Sequence, residues 1–139
     1  MKYYAVIDTN VLVSAMFSVD SVPGKIASET LEGRIIPLVS KEILEEYREV
    51  LFRPKFRFDR GAVNLLLDTL IKRGIYVDAG PVSEFIPDPE DVIFYAVVME
   101  QRRTDDAYLV TGNSKHFPKR PFVVTPREML DIINAEDDQ

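Results

Sequence analysis

Tyr3-Tyr4-Ala5-Val6-Ile7-Asp8-Thr9-Asn10-Val11-Leu12 is the stretch that decides the fold. A short apolar run of β-favouring residues, Tyr3 to Ile7, stops at an acid. Asn10 to Phe17 then reads as a helix. A strand handing over to a helix across a carboxylate is the first half of a βαβ unit, and it places Asp8 at a strand's carboxyl end.

Outward from there the alternation repeats. A break is expected at Val22-Pro23-Gly24, then a helix over Lys25 to Leu31 ended by Gly33. Ile35 to Val39 is the second strand, and Ser40 caps a helix running to about Leu51. Arg53-Pro54 stops it. Asp59 to Lys72 is helical and closed by Gly74, and Ile75 to Val77 is a third strand. Asp88-Pro89 opens a helix reaching about Gln101. Tyr108 to Val110 and Phe122 to Val124 are the fourth and fifth strands. Thr125-Pro126-Arg127-Glu128 starts the last helix with Thr at the N-cap, Pro at N1 and Glu at N3. Alternation of this kind implies an α/β fold on a five-stranded, mostly parallel sheet. Ligands in such folds bind at the carboxyl ends of the strands.

One domain is expected over residues 1–134, with an acidic, frayed tail from Ala135 to Gln139. The chain has 139 residues, 46% hydrophobic and 29% charged, the balance of a soluble globular protein. No cysteine and a single histidine, His116, exclude disulfides, thiolate zinc and a multi-histidine metal site. The longest apolar run, Val92 to Met99, is too short to span a bilayer. No targeting segment stands out, which fits a cytoplasmic protein with no membrane partner. The formal net charge of −6 runs against phosphate binding unless basic residues are gathered locally. Part of that negative charge belongs to any carboxylate metal site.

Oxygen-bearing side chains follow four strands. Asp8, Thr9 and Asn10 follow the first, and Glu42, Glu45 and Glu46 lie in the helix after the second. Asp88, Glu90 and Asp91 open the helix after the third, and Thr111, Gly112 and Asn113 close the fourth. Taken singly, each has a plainer reading: Asp8 as a helix cap, Asp91 as a favoured N3 acid, Glu46 as a solvated charge, Asn113 as a turn residue. Their convergence favours chemistry, because clustered carboxylates raise one another's pKa unless a cation compensates. Helical phase singles out one glutamate. Glu46 lies roughly 100° from the centre of the face made by Ile43, Leu44, Tyr47, Val50 and Leu51, whereas Glu42 and Glu45 lie roughly 140–160° away. Hard oxygen ligands without cysteine select Mg²⁺ or Mn²⁺.

Four segments resemble the motifs of PIN domains. They are Val6-Ile7-Asp8-Thr9-Asn10-Val11-Leu12, Glu46-Tyr47 with Val50-Leu51, Asp88-Pro89-Glu90-Asp91-Val92-Ile93-Phe94, and Leu109 to Pro118. In that order, from about Lys2 to Leu130, they are similar to the VapC-like toxin components of toxin–antitoxin systems. The resemblance implies a three-layer α/β/α sandwich and a Mg²⁺- or Mn²⁺-dependent endoribonuclease. It implies metal binding by Asp8, Glu46 and Asp91, RNA as substrate, an antitoxin partner and a homodimer. Where many PIN domains carry Asp, this chain has Asn113, read here as a catalytic-site residue that positions water without adding charge. Thr9, Asn10, Thr111, Lys115 and His116 are expected around the site as supporting or substrate-contacting residues. The loss of that acid opens an alternative, an RNA- or antitoxin-binding module with weak or no catalysis.

Two basic clusters complete the reading. Arg48, Arg53, Lys55, Arg57 and Arg60 interleave with Phe52, Phe56 and Phe58, either as an RNA surface with stacking aromatics or as a connection whose phenylalanines pack inward. Lys115, His116, Lys119 and Arg120 follow Asn113 and are better placed for phosphate contact. Val63, Leu65, Leu66, Leu67, Leu70 and Ile71 make a wide apolar helix face, and any excess over the core suits a dimer or an antitoxin. A phosphoaspartate receiver would also use strand-end acids, with Asp78 as acceptor, but no Lys follows the fifth strand. A haloacid-dehalogenase-type phosphatase would need an acid where Asn10 stands.

Overall fold

A computed structural model describes residues 2–137. β1 (Tyr3–Ile7) is followed by α1 (Thr9–Phe17) and α2 (Val22–Leu31), then β2 (Ile35–Val39) and α3 (Lys41–Leu51). After a 3₁₀ turn (Pro54–Phe56) come α4 (Arg60–Arg73), β3 (Ile75–Tyr76), α5 (Pro89–Gln101) and β4 (Ala107–Val110). A second 3₁₀ turn (Ser114–His116) leads to β5 (Val123–Val124) and α6 (Pro126–Asp137).

The sheet order is β3-β2-β1-β4-β5, and all four pairings are parallel. The fold is the expected α/β/α sandwich. β1 lies at its centre, with Tyr3 opposite Ile35 on one side and Val6 opposite Leu109 on the other. Ala5, Val6 and Ile7 are buried, as a parallel strand covered on both faces requires. Strand order reverses between β1 and β4, and at that reversal an open α/β sheet leaves a crevice beyond its carboxyl edge. The order also sets β3 at the sheet's edge, away from β1, so Asp78 is not beside Asp8 as an acceptor would be in a receiver.

Local chemistry explains the helix boundaries. Ser40 Oγ accepts from the Ile43 N–H at 3.1 Å, and Asp59 Oδ2 from the Ala62 N–H at 2.9 Å. Thr125 and Glu128 form a reciprocal capping box at 2.9 and 3.1 Å. Gly33 takes φ 90° after α2, a left-handed position that glycine fills without strain. The break expected at Val22-Pro23-Gly24 lies earlier, at residues 18–21. Ser21 caps α2, and Val22-Pro23-Gly24 is its first turn, where a proline costs no hydrogen bond. The acidic tail is divided: α6 runs to Asp137, and residues 138 and 139 lie outside the described residues.

Gly24 is fixed by close approach. A Cβ there would lie 2.3 Å from the Val19 carbonyl oxygen and 2.6 Å from that of Ser18. Gly24→Ala is expected to destabilise the fold by about 2–3 kcal/mol through backbone overpacking. Urea unfolding measures this, and an unchanged midpoint would contradict the close α1–α2 connection.

Candidate active site

Asp8 and Thr111 each sit one residue beyond a central strand, and backbone bonds hold both in line. The Asp8 N–H donates to the Val110 carbonyl at 2.9 Å, and the Thr111 N–H to that of Val124 at 2.9 Å. This places the two side chains at the crevice between β1 and β4. Thr111 Oγ1 donates to Asp8 Oδ2 at 2.7 Å, and Asn10 Nδ2 donates to the same oxygen at 3.3 Å. Thr111 Oγ1 also accepts from the Asn113 N–H at 3.0 Å, and Asn10 Oδ1 from the Gly112 N–H at 3.3 Å. The loop after β4 is thereby tied to the start of α1. Asp8 is only 6% exposed, and burial raises its pKa against the lowering effect of Thr111 and the backbone around Asn10 and Thr9.

α3 brings in Glu46. Thr9 Oγ1 donates to Glu46 Oε2 at 3.2 Å. Glu46 is half-buried while Glu42 and Glu45 are exposed, the ranking that helical phase gives. Tyr47, the next residue, is buried and donates its hydroxyl to the Ile7 carbonyl at 2.5 Å. That bond pins α3 to the end of β1. Burial raises the Glu46 pKa, with further raising from Glu90 and Glu49.

α5 brings in Asp91. Its Oδ2 is buried and has no hydrogen-bond partner. The nearest cationic group is His116 Nδ1 at 3.6 Å, a counter-charge only when protonated. Burial, then the charges of Asp8 and Asp88, push the Asp91 carboxyl up to about 6. A buried carboxylate oxygen without a partner is a group that a cation would satisfy. Among the described residues no three acid or histidine side chains close a cage by themselves. The donor set still fits Mg²⁺, which is commonly held by one or two carboxylates with waters and phosphate oxygens completing the shell. A cleft of about 340 Å³ opens over Asp8, Thr9 and Glu46, flanked by Ser14 and Phe56.

A sequence model of the PIN domain matches residues 4–115, a span that runs from β1 past Asn113. The chain belongs to the PIN-domain family. Members of this family are usually nucleases, typically with divalent metals. An uncharacterized protein of Methanocaldococcus jannaschii is 32% identical over 116 residues, covering 81% of this chain and 72% of the relative.

In this PIN domain the remaining residues singled out by sequence fall into two groups. Thr9, Asn10 and Thr111 bond directly to the acids or their loop. Asn113 caps the second 3₁₀ turn from just before it, and both it and Lys115 are exposed. Asn113 is linked to Asp8 through its backbone and Thr111. Lys119 is exposed, and Arg120 is taken up by Glu84 at 3.3 Å. Asp105 and Asp106 precede β4 and so lie at the opposite edge of the sheet. Sequence reasoning missed two contributors, the Tyr47 hydroxyl and Ser14 in the cleft wall, whereas Phe56, which also lines the cleft, was among the aromatics it singled out. Ser14 had a signal, since it stands four residues after Asn10 on the same face of α1. No helix among the described residues is long and apolar enough to cross a membrane.

Proposed function

We propose that this protein is a Mg²⁺- or Mn²⁺-dependent endoribonuclease, with Asp8, Glu46 and Asp91 as the acids that hold the ion. The observation that carries this reading is the buried Asp91 oxygen, without a hydrogen-bond partner, beside the buried carboxylate of Asp8 at the switch point of the sheet. Bound there, the ion supplies charge neutralisation at the phosphodiester and lowers the pKa of water. Thr111 and Asn10 fix the orientation of Asp8, Thr9 orients Glu46, and Tyr47 holds the strand end on which both depend. His116 stands beside Asp91 at the mouth, where with Lys115 it would meet a phosphate. Asn113 orients water and RNA through its amide.

The cellular role that fits is a VapC-like toxin, cytoplasmic, homodimeric and neutralised by an antitoxin. An apolar groove of about 960 Å³ between α2 and α4, with Leu31 and Leu65 exposed in it, supports a protein partner. The exposed amide of Asn113, in place of an acid, favours a second reading as an RNA- or antitoxin-binding module.

Calorimetric titration of Mn²⁺ into the protein tests the metal site. Binding is expected with proton uptake by the buffer near pH 6, because Asp91 must ionise, and is expected to vanish in Asp91→Asn. Absence of binding by the folded wild-type protein would contradict the reading. Binding without RNA cleavage would favour the module.

A further inference from the structure

We propose that Phe17, Phe56 and Phe58 form a shelf that stacks a base of single-stranded RNA beside the acidic cleft. This rests on the reading of the cleft as the place where RNA is cut. The three rings pack on one another: Phe56 and Phe58 are stacked at 5.3 Å, and Phe17 meets them edge-on at 5.7 and 4.8 Å. The cluster lies at the margin of the core, with Phe58 packed against it. Phe17 is 62% exposed, and Phe56 and Phe58 are only half-buried. Of the aromatics in this connection, Phe52 and Phe58 pack against the core, and Phe56 faces the cleft instead.

The shelf is continuous with the site. Phe56 itself lines the cleft that holds Asp8 and Glu46. Asn10, Val13 and Ser14 line the same cleft from α1, and Phe17 follows them at helical spacing, about 10 Å along the axis from Asn10. A strand with its phosphate over the acids would therefore reach the rings with a neighbouring base.

Charge selects nucleic acid over an apolar partner. Lys55 sits over the Phe56 ring at 5.2 Å, Arg57 is the next residue along the chain after Phe56, and Arg60 lies over the neighbouring Phe52 ring at 4.6 Å. None of these three cations is ion-paired among the described residues, although the chain as a whole carries −6. Arg57 holds φ 55°, the sole non-glycine residue with positive φ among the described residues. That strained conformation turns the chain between Phe56 and Phe58 so that both rings join one stack. A ring face accepts any base, so the shelf favours unpaired RNA without reading its sequence.

The test is fluorescence anisotropy with a labelled single-stranded RNA and a duplex of the same length. It is run in Mg²⁺ in the Asp91→Asn background, so that cutting does not interfere. Phe17→Ala and Phe56→Ala are each expected to weaken single-strand binding about tenfold, with Phe56→Trp restoring it. Phe17→Ala changes an exposed side chain, so it stays informative if Phe56→Ala fails to fold. Unchanged affinity in folded Phe17→Ala, or equal binding of duplex and single strand, would overturn the shelf. So would a wild-type dimer that Phe17→Ala dissociates while RNA binding stays intact, which would make the cluster a contact between copies. Binding that follows the phenylalanines in a protein that never cuts RNA keeps the shelf and overturns only the nuclease reading.

Discussion

Asp91→Asn is expected to lower RNA cleavage by about 10³-fold or more, the loss of roughly 4 kcal/mol of transition-state stabilisation. The same substitution is expected to raise the melting temperature of the metal-free protein. The two effects have one origin. In the folded chain, burial and the charges of Asp8 and Asp88 hold the Asp91 carboxyl at about 6, against 3.8 for a free aspartate. Between those values the folded state keeps a proton that the unfolded state has released. Stability from this group is therefore present below about pH 4, falls as pH rises, and is lost above about pH 6. Asparagine keeps the shape and removes the charge, so it removes the penalty at neutral pH. Thermal melts of wild type and Asp91→Asn at pH 4.5 and pH 7.5, in EDTA, should differ more at the higher pH. A melting temperature lowered by the substitution at neutral pH would remove the electrostatic strain assigned to this acid.

Thr111→Val is the second large effect, and it reaches the acids without touching their charge. Thr111 is fully buried, donates to Asp8, and accepts from the Asn113 backbone. Valine has nearly the same shape and offers neither bond. The Asp8 oxygen would keep only the longer bond from Asn10, and the Asn113 N–H would lose its acceptor. The charge-assisted bond to Asp8 contributes about 1.5–3 kcal/mol and the neutral one to the Asn113 N–H about 0.5–1.5 kcal/mol, so a destabilisation of about 2–4 kcal/mol is expected. Loss of a bond that orients a metal-binding carboxylate costs about 10–100-fold in metal affinity or activity. Thr111→Ser, which keeps the hydroxyl, should restore most of the activity. Equal defects in Val and Ser variants would show that packing, not the hydroxyl, is what Thr111 supplies.

How far these features can be read from sequence depends on whether their cause is local. Ser40, Asp59 and the Thr125–Glu128 pair announce their helices because capping is a contact three residues long. Val22-Pro23-Gly24 misleads because the same two residues that end helices also fit a helix's first turn, and Ser21 decides which. β3 and β5 are shorter than their apolar runs, since a strand extends only as far as its neighbour pairs with it. Within the site, the inward lean of Glu46 follows from phase along a single helix. The bond between Asp8 and Thr111 joins residues 103 apart, and no spacing in the sequence encodes it. The edge-on contact of Phe17 with Phe58 is equally hidden, because the basic stretch shows where aromatics are dense but not which side of the chain they face.

The most direct measurement is cleavage of a fluorescent RNA pool in Mn²⁺ or Mg²⁺, with EDTA and Asp91→Asn protein alongside. Cutting that requires the ion and disappears with Asp91→Asn is the expected result. Folded, partner-free protein that leaves the pool intact in either ion, or that cuts equally well in EDTA or without Asp91, would contradict a metal-dependent ribonuclease built on these carboxylates.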